Sequence, residues 1–351
     1  MPPTHLLDTH IHLWPSTATT PSSHKWMTPH HSLATRHGLT DYLAIASPRP
    51  TGVVYIETDR ALASAQAPSA HEVEAWAREP LREIGFLRRI VEGAARAQED
   101  GVEEGVGEMV RGVVLWAPVG WGVGLFAAYW RLAREAAGER LWGRVVGFRF
   151  LLQGKGVGEV GRLVREGEWV ENMLVLGREG MAFDVGIDVH RDGEEGLGDV
   201  AGMIEEVRRR EGEGKRMKFV LNHLCKPPLS TSPSPAWTSA LRRLSPDTNI
   251  FMKLSGAFNE FSLSKPTPSS VEDMVASLSP FLDVVFECFP GRVMFGSDWP
   301  VCNVGGPKGK DGNWGFWREI VERVLEERGM SEEEKESVWW GAGCKAYGIE
   351  M

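Results

Sequence analysis

Gly296-Ser297-Asp298-Trp299-Pro300 follows the apolar run Val293-Met294-Phe295, and at the other end of the chain Asp8-Thr9-His10-Ile11-His12 follows Leu6-Leu7. Residues at i and i+2 on a strand face the same way, so His10 and His12 share a face. Asp298 ends another apolar strand almost the whole chain away. The three meet only if first and last strands are neighbours, as in a closed barrel of parallel strands. Two imidazoles and a carboxylate at one mouth can bind a divalent ion or activate a water. The reading that follows is an α/β (β/α)8 TIM barrel doing hydrolytic or lyase chemistry.

The rest of the chain supports this. Strands are expected near Leu6–His10, Gly52–Glu57, Gly112–Trp116, Val145–Phe150, Ala182–Ile187, Lys218–Asn222, Ile250–Leu254 and Arg292–Gly296. Most are continuous apolar runs, as strands covered on both faces should be. Helical periodicity falls between them at Glu83–Ala97, Leu125–Ala137, Met203–Arg210, Val271–Phe289 and Trp314–Arg328. The long irregular segments Leu13–Gly38, Lys226–Pro235, Ala257–Ser270 and Val301–Asn313 all follow strands, which places long loops on the C-terminal face of the barrel. A barrel takes about 250 residues and more with insertions, so the 351 residues read as a single domain, 1–351.

Composition narrows the partners. A net charge of −9 argues against a nucleic-acid or anionic membrane surface, and no apolar run is long enough to span a bilayer. Cys225, Cys288, Cys302 and Cys344 fit no zinc knuckle or disulfide framework. No secretory pattern opens the sequence, so a cytoplasmic protein acting on a small molecule is expected.

Further candidates stand at strand ends. His223 closes the sixth strand and is a third imidazole. His190 follows the fifth, beside the turn Arg191-Asp192-Gly193. Arg149 lies inside the apolar stretch Val146-Gly147-Phe148-Arg149-Phe150, where a cation needs a partner. It either pairs structurally or binds substrate through its planar fork. Glu57, ending the second strand, is its partner or a polar floor; Trp14 and Trp299 either wall the pocket or belong to the core. Gly156-Val157-Gly158-Glu159-Val160-Gly161 matches a dinucleotide fingerprint, but after a fourth strand rather than a first. Ser262-Leu263-Ser264-Lys265 lies in a Pro/Ser-rich loop rather than at the helix start an acyl-enzyme serine needs.

Asp8-Thr9-His10-Ile11-His12-Leu13-Trp14, Val220-Leu221-Asn222-His223-Leu224-Cys225-Lys226-Pro227 and Phe295-Gly296-Ser297-Asp298-Trp299-Pro300-Val301-Cys302 together resemble the signatures of the amidohydrolase superfamily, in its lactonase branch. Gly147-Phe148-Arg149 and Met252-Lys253-Leu254-Ser255-Gly256 resemble its central strands. The chain departs from that pattern with Asn222 in place of Asp and Cys225 in place of Gly. The resemblance implies a lactonase in which Asp298 is general base, with His223, His10 and His12 catalytic and Arg149, Trp14, Glu57 and Trp299 around the substrate. It also implies a site for at most one divalent ion, zinc first, on His10, His12 and Asp298 with His190 or His223; metal-independent action is equally compatible. Arg149 stands where a binuclear member carries its bridging lysine. A metal-dependent decarboxylase of an aromatic or unsaturated acid, and a ligand-binding barrel without catalysis, are the competing readings.

Overall fold

In the computed structural model, which describes residues 3–212 and 216–350, eight strands run parallel in the order of the chain. They are β1 (Leu7–Ile11), β2 (Gly52–Ile56), β3 (Val110–Trp116), β4 (Val145–Arg149), β5 (Ala182–Val185), β6 (Phe219–Leu221), β7 (Ile250–Leu254) and β8 (Val293–Phe295). Every residue of β1, β2, β5, β6, β7 and β8 is buried. The ring closes between its two ends. His12 N donates to Trp299 O at 2.7 Å, Asp298 N donates to His10 O at 2.9 Å, and Thr9 Oγ1 donates to Phe295 O at 2.6 Å.

Helices return the chain from one strand to the next: Arg78–Val91, Val123–Trp142, Gly167–Arg178, Glu195–Arg210, Pro235–Leu244, Val271–Cys288 and Gly309–Glu327 are the main ones. Their apolar faces pack on the outside of the strands in one continuous core. A second cluster fills the barrel. Leu7, Val54, Val114, Ala182, Val220, Phe251 and Met294 pack there against Trp340, Ala346 and Tyr347 of the C-terminal segment. Two residues further along the same strands, period-two alternation sets Asp184, Asn222 and Lys253 on that same face. The interior thus changes from apolar to polar as the strands rise toward their C-terminal ends.

Gly156–Gly161 straddles a turn and the start of the short helix Glu159–Val164 that follow β4, inside this ring and not at the opening of a dinucleotide-binding sheet. Among the described residues no helix is long and apolar enough to cross a membrane. All four cysteines are buried and free.

Candidate active site

The opening motif works first as a clamp. Asp8 is fully buried, and its carboxylate accepts from Ser297 N at 2.8 Å, Tyr42 Oη at 2.8 Å and Trp314 Nε1 at 3.2 Å. Burial raises this carboxyl above its ordinary range while the Ser297 and Tyr42 donors work the other way. The contact to Ser297 ties β1 to the turn after β8, and so fixes His10 and His12 against Asp298. His223 is set by a different device. It starts a run, His223-Leu224-Cys225-Lys226, in which every residue has a left-handed φ between 52° and 61°. Side chains disfavour that conformation by about 1–2 kcal/mol each, and such strain collects where a side chain must be aimed.

The outcome is a convergence on one oxygen. Asp298 Oδ1 lies 3.6 Å from His10 Nε2, 3.6 Å from His12 Nε2 and 3.7 Å from His223 Nε2. All four side chains are buried, with at most 8% of any one exposed. Behind the rings, His12 Nδ1 donates to the Ile56 carbonyl at 2.8 Å, and His223 Nδ1 lies 2.8 Å from Ser255 Oγ. Burial pushes His223 down to about 3, against the attraction of Asp298. Burial works to raise Asp298, but the nearby His223 and His12 outweigh it and hold the carboxyl below its usual range. Burial, with Lys253 next in effect, puts His10 well below the ordinary imidazole value. At neutral pH the site therefore holds the Asp298 carboxylate beside the neutral imidazoles of His10 and His223.

His12, His223 and Asp298 floor a cavity of about 570 Å³ whose walls include Trp14, Leu33, Arg149, Lys155, Arg191 and Lys226, while His10 is wholly buried and does not line it. Arg149 donates through Nε to Glu57 Oε1 at 2.5 Å and through Nη2 to the Glu57 carbonyl at 2.5 Å, with both side chains buried. Its fork is thus largely engaged by Glu57, which lies behind it. Trp14 lines the cavity with its Nε1 tied to Thr35 O at 2.6 Å. Trp299 is not among the lining residues; its ring packs edge-on to His37 and Tyr42. His190 turns instead to Glu260, at 3.1 Å through Nδ1. Asn222 is fully buried and neither of its amide atoms has a hydrogen-bond partner; nothing in the structure explains the exchange for Asp. Burial raises the thiols of Cys225 and Cys302, so neither offers a ready thiolate.

Lys253 and Asp184 were not picked out by the motif reading. Lys253 Nζ donates to Asp184 Oδ2 at 2.6 Å and lies 3.3 Å from His10 Nδ1, with both charged groups wholly inaccessible. Burial lowers this amine to about 8 against the pull of Asp184.

The donor set suits a divalent ion. Ligand atoms about 2.0–2.1 Å from one zinc lie about 3.3 Å apart in a tetrahedron, close to the 3.6–3.7 Å found here. Among the described residues, ligand atoms of His10, His223 and Asp298 all fall within 4.8 Å of one another.

The buried Arg149–Glu57 pair carries a prediction of its own. Arg149→Met strands a carboxylate in the wall and should cost about 3–5 kcal/mol, read as a lower urea midpoint. Glu57→Gln added to it should restore most of the loss. A single variant as stable as the parent would show that the pair is not what holds this wall.

A family model described as amidohydrolase matches residues 199–349. The chain is 26% identical to the L-rhamnono-gamma-lactonase of Scheffersomyces stipitis over 98% of both chains. It is 30% identical to an L-fucono-1,5-lactonase of Burkholderia ambifaria over 38% of this chain and 43% of that one. The crystal structure of a zinc-bound amidohydrolase from Burkholderia multivorans superposes with a TM-score of 0.67 at 21% identity, covering 99% of this chain and all of that one. At that identity the last likeness speaks for the barrel alone.

Proposed function

We propose that this chain is a lactonase of the amidohydrolase superfamily that opens a neutral, hydroxyl-bearing sugar lactone. The observation that carries the reading is the meeting of three imidazole Nε2 atoms with Asp298 Oδ1 at 3.6–3.7 Å at the bottom of the cavity. Support comes also from the two lactonases to which the chain is similar.

The chemistry follows from where protons can go. A water between Asp298 and the imidazoles gives its proton to the carboxylate, and the hydroxide attacks the lactone carbonyl. An imidazole N–H and the Arg149 edge stabilise the tetrahedral oxyanion. Collapse breaks the ring C–O bond, and the proton held by Asp298 passes to the leaving alkoxide. The product is an open-chain hydroxy acid, which releases one proton at neutral pH. An aspartate is a weak base for water, so the surroundings must lower the barrier. A divalent ion held by Asp298 with the imidazoles around it would supply part of that by polarising the carbonyl and acidifying a water.

Charge balance in the walls speaks for a neutral substrate. Arg149 is paired with Glu57, Arg191 with Asp188 at 2.7 Å and Glu260 at 3.0 Å, and Lys226 with Glu260 at 3.3 Å. Lys155 lies over the Phe150 ring. A dicarboxylate would have to pull these cations from existing partners, whereas hydroxyls can bond to pairs left intact. A pH-indicator screen of purified protein, with and without added zinc, tests this. Acid release with aldonolactones and none with a pyrone dicarboxylate is the expected pattern. Release of carbon dioxide from a carboxylic acid, with every lactone untouched, would overturn it.

A further inference from the structure

The hydrogen bonds behind the site set the direction in which His10 can act. Tyr347 Oη donates to Asp184 Oδ1 at 2.8 Å, and Lys253 Nζ donates to Asp184 Oδ2 at 2.6 Å. The same amine reaches His10 Nδ1 at 3.3 Å. An amine held against a carboxylate presents N–H groups, so His10 Nδ1 is left to accept. A neutral imidazole that accepts at Nδ1 carries its proton on Nε2.

The opposite end of the chain of contacts gives the same answer independently. The Ile56 carbonyl can only accept, so His12 Nδ1, 2.8 Å away, carries a hydrogen. With its one hydrogen on Nδ1, the His12 ring has its lone pair on Nε2. His10 Nε2 lies 3.2 Å from that atom, and two nitrogens at this distance need one hydrogen between them. That hydrogen belongs to His10. Two fixed groups, a carbonyl on β2 and an amine on β7, thus impose one tautomer from two sides.

We propose that Lys253 is the positioning residue that locks His10 in its Nε2–H form, so that His10 meets the reacting centre as a hydrogen-bond donor and not as a base or a metal ligand. The assignment rests on the lactonase reading only for the role of that donor, which is to hold the oxyanion. It also divides the imidazoles. His12 is an acceptor at Nε2, whereas His10, whose ligand atom groups with those of His223 and Asp298, could hold an ion only by moving its proton to Nδ1, against the N–H of Lys253.

The resting wild-type enzyme, without substrate, tests the tautomer directly. Side-chain 1H–15N correlation spectra of 15N-labelled protein at neutral pH should show His10 protonated at Nε2 and bare at Nδ1, the signals being assigned by their loss in a His10→Asn variant. A proton on Nδ1 would overturn the proposal whether or not any lactone is hydrolysed. A second arm uses Lys253→Met with Asp184→Asn, which removes amine and carboxylate together and so avoids stranding a buried charge. In that double variant the single tautomer should be lost, and zinc titrated by calorimetry should bind at least tenfold more tightly than to wild type. An unchanged tautomer with unchanged zinc affinity would reduce Lys253 to a packing residue.

Discussion

Asp298→Asn is expected to lower kcat by roughly 10²–10⁴-fold on any lactone the enzyme opens, the range a positioned general base contributes. The substitution keeps size and shape. Asp298 has a φ of 60°, and asparagine is among the few side chains that accept that conformation readily. The backbone hydrogen bond from residue 298 to the His10 carbonyl, which helps close the barrel, is untouched. What disappears is the capacity to take a proton from water. Because the carboxyl sits below its ordinary range, it is already ionised at neutral pH, and the wild-type rate should need no deprotonation of Asp298 there. Initial rates from the pH-indicator assay, beside circular dichroism and a urea midpoint near the parent's, separate chemistry from folding. A variant within about threefold of the parent would remove Asp298 from the role of base.

The barrel and the principal site residues were legible because they depend on local regularities. Period-two alternation put His10 and His12 on one face, and apolar runs ending in Asp298 and His223 marked strand ends. Partners that meet across the barrel were not legible, since strand tilt and register decide them. Lys253 sits in Ile250-Phe251-Met252-Lys253-Leu254 just as Arg149 sits in its own apolar strand, and the same question about a cation among apolar residues would have singled it out. Nothing local says that its partner is Asp184 on β5. Trp299 belongs to the same class: its motif borders the site, but its ring points into the packing around Tyr42. Two of the seven main helices also lie outside the periodicity reading. Pro235–Leu244 begins in a Pro/Ser-rich stretch that reads as loop, although Ser234, accepting from Trp237 N, and Pro235 at the first turn are ordinary start signals. In Gly167–Arg178 the buried side includes Gly177 and Asn172, which blur the apolar stripe.

Gly256→Ala tests how tightly the His223 ring is held, and its effect should rival that of losing the base. Gly256 has a φ of +63°, and a β-carbon there would lie 2.4 Å from His223 Nδ1 and 2.6 Å from its Cγ. Real β-carbons do not approach so closely, so something must move. The backbone on the far side cannot yield cheaply, because His223 opens the left-handed run that ends at Lys226. The ring must therefore swing, giving up Ser255 at 2.8 Å and its 3.7 Å approach to Asp298. A misplacement of about 1 Å in an active site can cost about 10²-fold, and kcat/KM is expected to fall at least that far. Left-handed strain and overpacking together should lower stability by about 2–4 kcal/mol. Gly291→Ala separates the two causes. Its φ is +67° with nothing within 4 Å of the added carbon, so it carries the backbone cost without touching any imidazole. It should lose about 1–2 kcal/mol and keep its activity. If Gly256→Ala and Gly291→Ala turned over a lactone equally well, the ring of His223 would not need to stand where it does, and the three-imidazole cluster would lose one of its members.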